Sequence, residues 1–350
     1  MADRQEIFAG TQAVKERHRI DAARLEVWMR ANVAGFRGTL AVEQFKGGQS
    51  NPTYRVEAGG TRYVVRRKPP GQLLPSAHAV DREYRVIAAL EDTGVPVPRA
   101  YALCTDESVI GTWFYVMECV EGRVLWEPTL PNCAPAERFA IYDSLNETLA
   151  RLHSVDWRAL GLADFGRPGN YFARQLSRWT KQYLASQTQA VPEMDALMAW
   201  LPRTIPASDE TTLIHGDFKL DNTILHPTVP RVVAILDWEI STLGNPLGDF
   251  TYLCMPWFEG GAFAALDLHA HGLPSLEDYA AAYCRRTGRA TIDSFDWYAA
   301  YHMYRAACIY QGILGRVRDG TASSDNAQTV ADVVPRMAGI AWAIAQRLGA

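Results

Sequence analysis

The sequence predicts an α+β chain of two lobes, a small antiparallel-sheet N-terminal lobe and a larger, mainly helical C-terminal lobe. Three observations predict it. Strand-like runs broken by glycine pairs fill residues 40–67, helical periodicity dominates from residue 136 onward, and one strand-rich, acidic segment at 213–238 interrupts those helices. A chain of 350 residues also exceeds what one hydrophobic core usually organises, so two coupled lobes with a cleft follow from length.

Taken in order, Asp21 is placed to cap a helix running to about Val33, with Leu25, Trp28 and Met29 at helical spacing. LAVEQF, TYRVEAG and TRYVVRR then read as strands divided by the turn formers Gly47-Gly48 and Gly59-Gly60, and Pro69-Pro70-Gly71 stops the last of them. VDREYRVIAAL, from Val80 to Leu90, sets Tyr84, Ile87 and Leu90 on one helical face suited to lie on the sheet. VPVPRAYAL and TWFYVMECVEG give two more strands, and the composition turns helical at Gly122. The expected organisation is therefore an N-terminal lobe over 1–118, a hinge at 119–122 and a C-terminal lobe over 123–350. Helices are expected over 136–152, 171–185, 194–200, 276–286, 295–318 and 329–348. In NPLGDFTYL, Asp249 is expected to N-cap the apolar run after it, with support of the loop at Asp217 as its second role.

Composition narrows the function. The chain is 48% hydrophobic and 21% charged, which excludes disordered, collagen-like and repeat proteins. Lys plus Arg number 35 against 39 Asp plus Glu, for a net charge of −4 without long single-sign blocks, so nucleic acid is not an expected partner. There is no run of eighteen apolar residues and no apolar core of a signal peptide near Met1, so no membrane partner is expected and the expected location is cytoplasmic. The six cysteines lack metal-site spacing and are expected to be reduced, mostly buried thiols.

The chemistry is concentrated in HGDFKLDN and the strand after it. Lys219 lies two residues and Asn222 five residues past Asp217, and Asp237 ends the apolar run VVAIL. Phosphoryl transfer needs little covalent help; it needs in-line positioning and cations on the equatorial oxygens. Asp217 suits the acceptor-orienting carboxylate, Lys219 adds positive charge at the transferring group, and Asn222 and Asp237 offer hard oxygens to Mg²⁺. An Asp-x-x-x-x-Asn pair alone is usually a capped turn. His215-Gly216 ahead of it, the flanking strands and Asp237 after the hairpin raise this one above that. His215 is expected to brace the loop's backbone, not to exchange protons.

With these residues on the page, HGDFKLDN followed by ILDWE resembles the aminoglycoside phosphotransferase family, part of the wider protein-kinase-like fold, along nearly the whole chain. PPGQLLPSAHAVDREYRVIAAL, RPGNYFARQLSRWTKQYLAS and LDWEISTLGNPLGDFTYL are more closely similar to the kinase-like domain fused to some acyl-CoA dehydrogenases. The resemblance implies ATP and Mg²⁺ as cofactors. It also implies a nucleotide-covering hairpin at KGGQSNPTYRV, with Gly47, Gly48, Ser50 and Asn51 as candidates. In place of a phosphate-holding strand Lys paired with a helix Glu, the best fit is Arg66 with Glu83; Lys68, on the same strand face, is able to share that work. The hinge implied at Met117, Glu118, Cys119 and Val120 would bond adenine through its backbone.

The acceptor is expected to be a small-molecule hydroxyl. Trp257, Phe258, Phe263, Trp297, Tyr298, Tyr301, Tyr304 and Tyr310 outnumber the grouped carboxylates that a polycation would need, and read either as an apolar acceptor wall or as core. The resemblance implies a hydroxyacyl group, as a hydroxy acid or a coenzyme A thioester, with Arg174, Arg178 and Lys181 set to meet an anionic carrier or forming a solvated basic face. A nucleotide-binding scaffold without catalysis, or a kinase for an aminoglycoside, amino alcohol or sugar, are the alternatives. Protein phosphorylation is disfavoured because LDWE stands where D-F-G would and no A-P-E segment follows.

Overall fold

Alternation in the N-terminal third closes into one antiparallel sheet in the order β1-β2-β3-β4-β6-β5: β1 Thr11–Gln12, β2 Ala41–Phe45, β3 Thr53–Ala58, β4 Thr61–Arg67, β5 Ala100–Cys104 and β6 Phe114–Glu118. The structure is a computed structural model describing residues 9–47, 51–69, 78–208, 210–319 and 327–350. β1 escapes sequence reasoning because it is two residues long and exists through its register with β2, Thr11 opposite Phe45.

Helix α1, Ala22–Asn32, is capped as expected, the Arg24 amide donating to Asp21 Oδ1 at 3.0 Å. It buries Leu25 and Met29 against Tyr54, Val56, Tyr63 and Val65 of the sheet, and Trp28 sets its edge on Phe114 with centroids 4.8 Å apart. Helix α2, Val80–Leu90, lies on β5 and β6 and buries Val80, Val86, Ile87 and Leu90. Glu83 is buried on that same face, a carboxylate in a row of apolar side chains. Two helices follow along the chain: the short α3, Glu107–Ile110, and the long α4, Pro135–His153, which packs on the strand Val232–Ile235.

The strand-rich interruption contains β7, Thr212–Ile214, and the hairpin of β8, Thr223–Leu225, with β9, Val232–Ile235; β10, Thr242–Gly244, pairs antiparallel with β7. The remaining helices are α5 Tyr171–Ser186, α6 Pro192–Trp200, α7 Pro246–Leu253, α8 Leu276–Thr287, α9 Phe295–Arg318 and α10 Ala327–Arg347. The predicted α+β class, antiparallel sheet plus helical lobe, is the one observed.

By packing, the chain divides into two units. One holds the residues up to Phe165 with His215–Ser241 and Ala270–Leu273; the other holds Gly166–Ile214, Thr242–His269 and Pro274–Ala350. The sheet and the hairpin that carries the acidic motif thus belong to one unit. This division follows contacts, whereas 119–122 marks the change from strand to helix along the chain.

Two expectations are corrected here. Asp249 does not cap α7: the cap is Asn245, whose Oδ1 accepts the Leu247 amide at 2.9 Å, and Asp249 lies inside the helix, 1% exposed. Pro246 at the first helical position starts α7 earlier than the apolar run suggests. The aromatic series is mostly interior. Phe258, Phe263, Trp297, Tyr298, Tyr301 and Tyr304 are all buried, and Trp297 stacks parallel on Tyr301 at 5.7 Å. They pack the helical unit and do not wall an open site. The cysteines match expectation, all six being free and four of them buried. No helix among the described residues is long and apolar enough to cross a membrane.

Candidate active site

The loop from His215 to Asn222 is held by its own side chains. His215 is fully buried; its Nε2–H donates to the Leu236 carbonyl at 2.8 Å, while Nδ1 accepts the Asp217 amide at 3.3 Å. Those two bonds fix one neutral tautomer and give His215 the bracing role expected of it. Gly216 has φ +86°, and a Cβ there would come within 2.9 Å of the Ile240 carbonyl, so the turn that presents Asp217 requires glycine.

Asn222 closes the loop by donating to the Asp217 carbonyl at 2.9 Å and to Asp217 Oδ2 at 2.8 Å. Lys219 Nζ lies 3.5 Å from Asp217 Oδ2 and 3.3 Å from Asp221 Oδ2. Burial works against the ammonium, but the Asp217 and Asp221 carboxylates outweigh it and hold the Lys219 pKa above the ordinary lysine value. The Leu236 amide donates to the Asn222 carbonyl at 2.8 Å, which ties the residue before Asp237 to the loop. Asp237 itself sits at φ 64°, ψ 59°, a left-handed conformation that Asp tolerates better than most residues.

Asp237 meets the sheet through Arg66. The Arg66 Nη2 donates to Asp237 Oδ1 at 2.6 Å, and Nε forms an ion pair with Glu83 Oε2 at 2.7 Å. The guanidinium is 7% exposed; burial alone would weaken its charge, and Glu83 and Asp237 more than reverse that. Glu83 is fully used: Oε1 accepts from Asn51 Nδ2 at 2.8 Å and Oε2 from the Tyr115 hydroxyl at 3.1 Å. Burial pushes the Glu83 carboxyl above the ordinary carboxylate range, and the guanidinium at 2.7 Å opposes that shift. Burial, then the charge of Glu83, pushes the Tyr115 phenol well up, so it remains a donor. Lys68 takes no part: its ammonium sits 4.1 Å over the Trp113 ring and 3.9 Å from Asp81.

The other expected residues divide. Gly47 is half-buried in the bend after β2, and Gly48 and Ser50 lie outside the described residues. Asn51 is fully buried with its side chain turned onto Glu83. Met117 is buried in β6, and the Glu118 amide is committed to the Arg99 carbonyl at 2.8 Å, so Cys119 and Val120 are the first backbone beyond the strand. Sequence reasoning missed Tyr115, Asp221 and His78. Tyr115 stands in register with Arg66 across the β4–β6 pair, a signal visible only once the strands are aligned.

Beyond β6, Arg123 and Leu225 exchange two backbone hydrogen bonds of 2.8 Å, which presses Gly122 onto β8. A Cβ on Gly122 would lie 2.2 Å from the Leu225 carbonyl and 2.3 Å from the Ile224 side chain. Gly122→Ala is expected to destabilise by ~1–3 kcal/mol, as overpacking does. Thermal unfolding measures this, and a melting temperature within a degree of wild type would show that the contact yields freely.

A buried cation–carboxylate pair on an antiparallel sheet, here Arg66 with Glu83 in place of the usual Lys–Glu, reaches a carboxylate after an Asp–Asn loop, a set suited to phosphoryl transfer, and this chain is an enzyme of the small-molecule kinase class. It belongs to the phosphotransferase enzyme family, whose model matches residues 41–291. Acyl-CoA dehydrogenase family member 10 of Mus musculus is 44% identical over 318 residues, which cover 89% of this chain and 30% of that protein; the chain thus spans under a third of that relative's length. A candidate aminoglycoside phosphotransferase from Ralstonia eutropha has a TM-score of 0.86 and 51% identity, covering 94% of this chain and 99% of its own. A spectinomycin phosphotransferase solved with ADP and spectinomycin has a TM-score of 0.61 at 12% identity, covering 93% of this chain and 99% of its own, a likeness of fold alone. The family expected from HGDFKLDN and ILDWE is borne out.

Proposed function

We propose that the chain transfers the γ-phosphoryl group of ATP, with Mg²⁺, to a hydroxyl of a small hydroxyacyl compound. The observation that carries this reading is the Asp217 loop, closed by Asn222 at 2.8 Å, on the same hairpin as the Asp237 that contacts Arg66. In it, Asp217 accepts a hydrogen bond from the acceptor hydroxyl and orients it, and Lys219 supplies positive charge at the transferring group. Arg66, braced by Glu83, holds phosphate oxygens; the loop of Gly47, Gly48 and Ser50 covers them, and the backbone around Met117, Glu118 and Val120 receives the base across a hinge at 119–122.

The donor set suits Mg²⁺. The Asn222 amide nitrogen is spent on Asp217, which leaves its Oδ1, and Asp237 adds a carboxylate. Mg²⁺ is commonly bound by one or two such oxygens and completed by substrate phosphates and water. The bound ion would neutralise phosphate oxygens. The ADP held by the spectinomycin phosphotransferase supports nucleotide use by the shared fold.

For the acceptor, two observations favour a hydroxyacyl compound: the long similarity to a protein named for acyl-CoA dehydrogenation, and the few grouped carboxylates between Trp257 and Tyr310. A polycation buried without carboxylates would leave its ammonium groups desolvated and unpaired. Steady-state assays under identical ATP and Mg²⁺ are expected to give hydroxy acids or their coenzyme A thioesters a higher kcat/KM than any aminoglycoside. A kanamycin-like substrate outperforming every hydroxyacyl compound would overturn the acceptor class and leave phosphotransfer standing.

A further inference from the structure

His78 stands two residues before α2, in a left-handed conformation with φ 58°, and its ring lies on Asn51: Nδ1 and Asn51 Oδ1 are 2.8 Å apart. The directions of the bonds around it are forced. Both Glu83 oxygens face donors: Oε2 meets the Arg66 guanidinium and the Tyr115 hydroxyl, and Oε1 takes the Asn51 NH₂ at 2.8 Å. The Asn51 carbonyl oxygen then faces His78, so the imidazole must carry its proton on Nδ1. Burial, and then the charge of Arg66, lowers the His78 pKa, leaving a neutral ring with one proton to give. His78, Asn51 and Glu83 are thus a one-way chain of donors that ends on the carboxylate gripping Arg66.

Asn51 is also tied to Arg66 by a second route: its backbone carbonyl accepts from the Thr53 hydroxyl at 3.0 Å, and the same hydroxyl oxygen lies 3.3 Å from Arg66 Nη1. A wrongly turned Asn51 would oppose its oxygen to Glu83, pushing apart two acceptors in a site where Asn51 and Glu83 are at most 1% exposed.

We propose that His78 is a positioning residue of the phosphotransfer site: its Nδ1–H dictates which way the Asn51 amide faces, and so holds Glu83 and Arg66 in the geometry that receives nucleotide phosphates. This rests on the reading that Arg66 meets the nucleotide. It accounts for a histidine in SAHAVDREYRV that no catalytic role absorbs.

Two isosteric substitutions separate this role from simple space filling. Asn places a donor where Nδ1 stands, Asp places an acceptor there, and both residues tolerate a left-handed backbone. Binding of Mg·ADP to the full chain by titration calorimetry is expected to stay within about threefold of wild type for His78→Asn. His78→Asp is expected to weaken it by roughly tenfold or more, the scale of a lost hydrogen bond in a charged network. His78→Leu, which removes the donor and adds no charge, covers the case in which the Asp variant does not fold, and is expected to bind more weakly than His78→Asn. Equal affinities for the Asn variant and for the Asp and Leu variants would overturn the positioning role while leaving nucleotide binding intact. A wild-type chain with no affinity for Mg·ADP would instead overturn the nucleotide reading, and this inference with it.

Discussion

Asp217→Asn is expected to cost at least ~10²-fold in turnover, the lower range for a positioned acid–base group, with the fold and Mg·ADP affinity nearly unchanged. The substitution keeps the side chain's shape. Asn222 Nδ2, now 2.8 Å from Asp217 Oδ2, can still donate to the remaining oxygen of an amide, and the Asp217 carbonyl bond at 2.9 Å is backbone and survives. Lys219 loses one partner but keeps Asp221 at 3.3 Å. His215 continues to bind the loop through the Leu236 carbonyl. What disappears is the negative charge to which the proposed function assigns the orienting of the acceptor hydroxyl and the uptake of its proton as the new P–O bond forms. The measurement is kcat with the best acceptor, beside thermal unfolding and calorimetry on the same preparation. Turnover near wild type would sink the assignment of Asp217; a parallel loss of melting temperature would show that the charge was serving the fold.

Part of this site can be read from the sequence because its members are close in the chain. The Asp217–Asn222 spacing is local, whereas Arg66 and Glu83 are reached through the family resemblance, and the burial of Glu83 on an otherwise apolar helical face is a finding of the structure. What the sequence cannot fix is how neighbours on one strand share work: Arg66 and Lys68 point the same way, and only the position of Trp113 and Asp81 shows Lys68 drawn off. Relations across the sheet are hidden for a similar reason. Asn51 reads as a phosphate-loop residue because glycine and serine precede it, yet its amide lies 2.8 Å from a carboxylate 32 positions away. Tyr115 and His78 join the same carboxylate through tertiary pairing alone. The aromatic residues from Trp257 to Tyr310 show the opposite limit: helical spacing fits core and pocket equally, and burial decided for core at Phe258, Phe263, Trp297, Tyr298, Tyr301 and Tyr304.

The metal side offers the other large effect. ATP is expected to raise the melting temperature of the wild-type chain chiefly when Mg²⁺ is present; at a hundredfold excess over Kd, binding adds ~2.7 kcal/mol, roughly 3–5 °C for a chain of this size. Asp237→Asn is expected to remove most of that metal-dependent increment and to lower turnover by about 10²–10³-fold, the range seen when one charge-stabilising group is lost. Asn is the right replacement because residue 237 sits at φ 64°, where a β-branched or bulky side chain would add backbone strain to the loss of charge. Arg66 would lose its 2.6 Å contact with a carboxylate and keep Glu83 at 2.7 Å, so the buried guanidinium is not stranded and the unliganded protein should melt close to wild type. An amide oxygen remains at the position, but it lacks the charge that draws a hard divalent cation from water. Equal thermal shifts with and without Mg²⁺ in the wild type would show that Asp237 serves Arg66 and not a metal, and the charge on Arg66 would then be the cation nearest the phosphates.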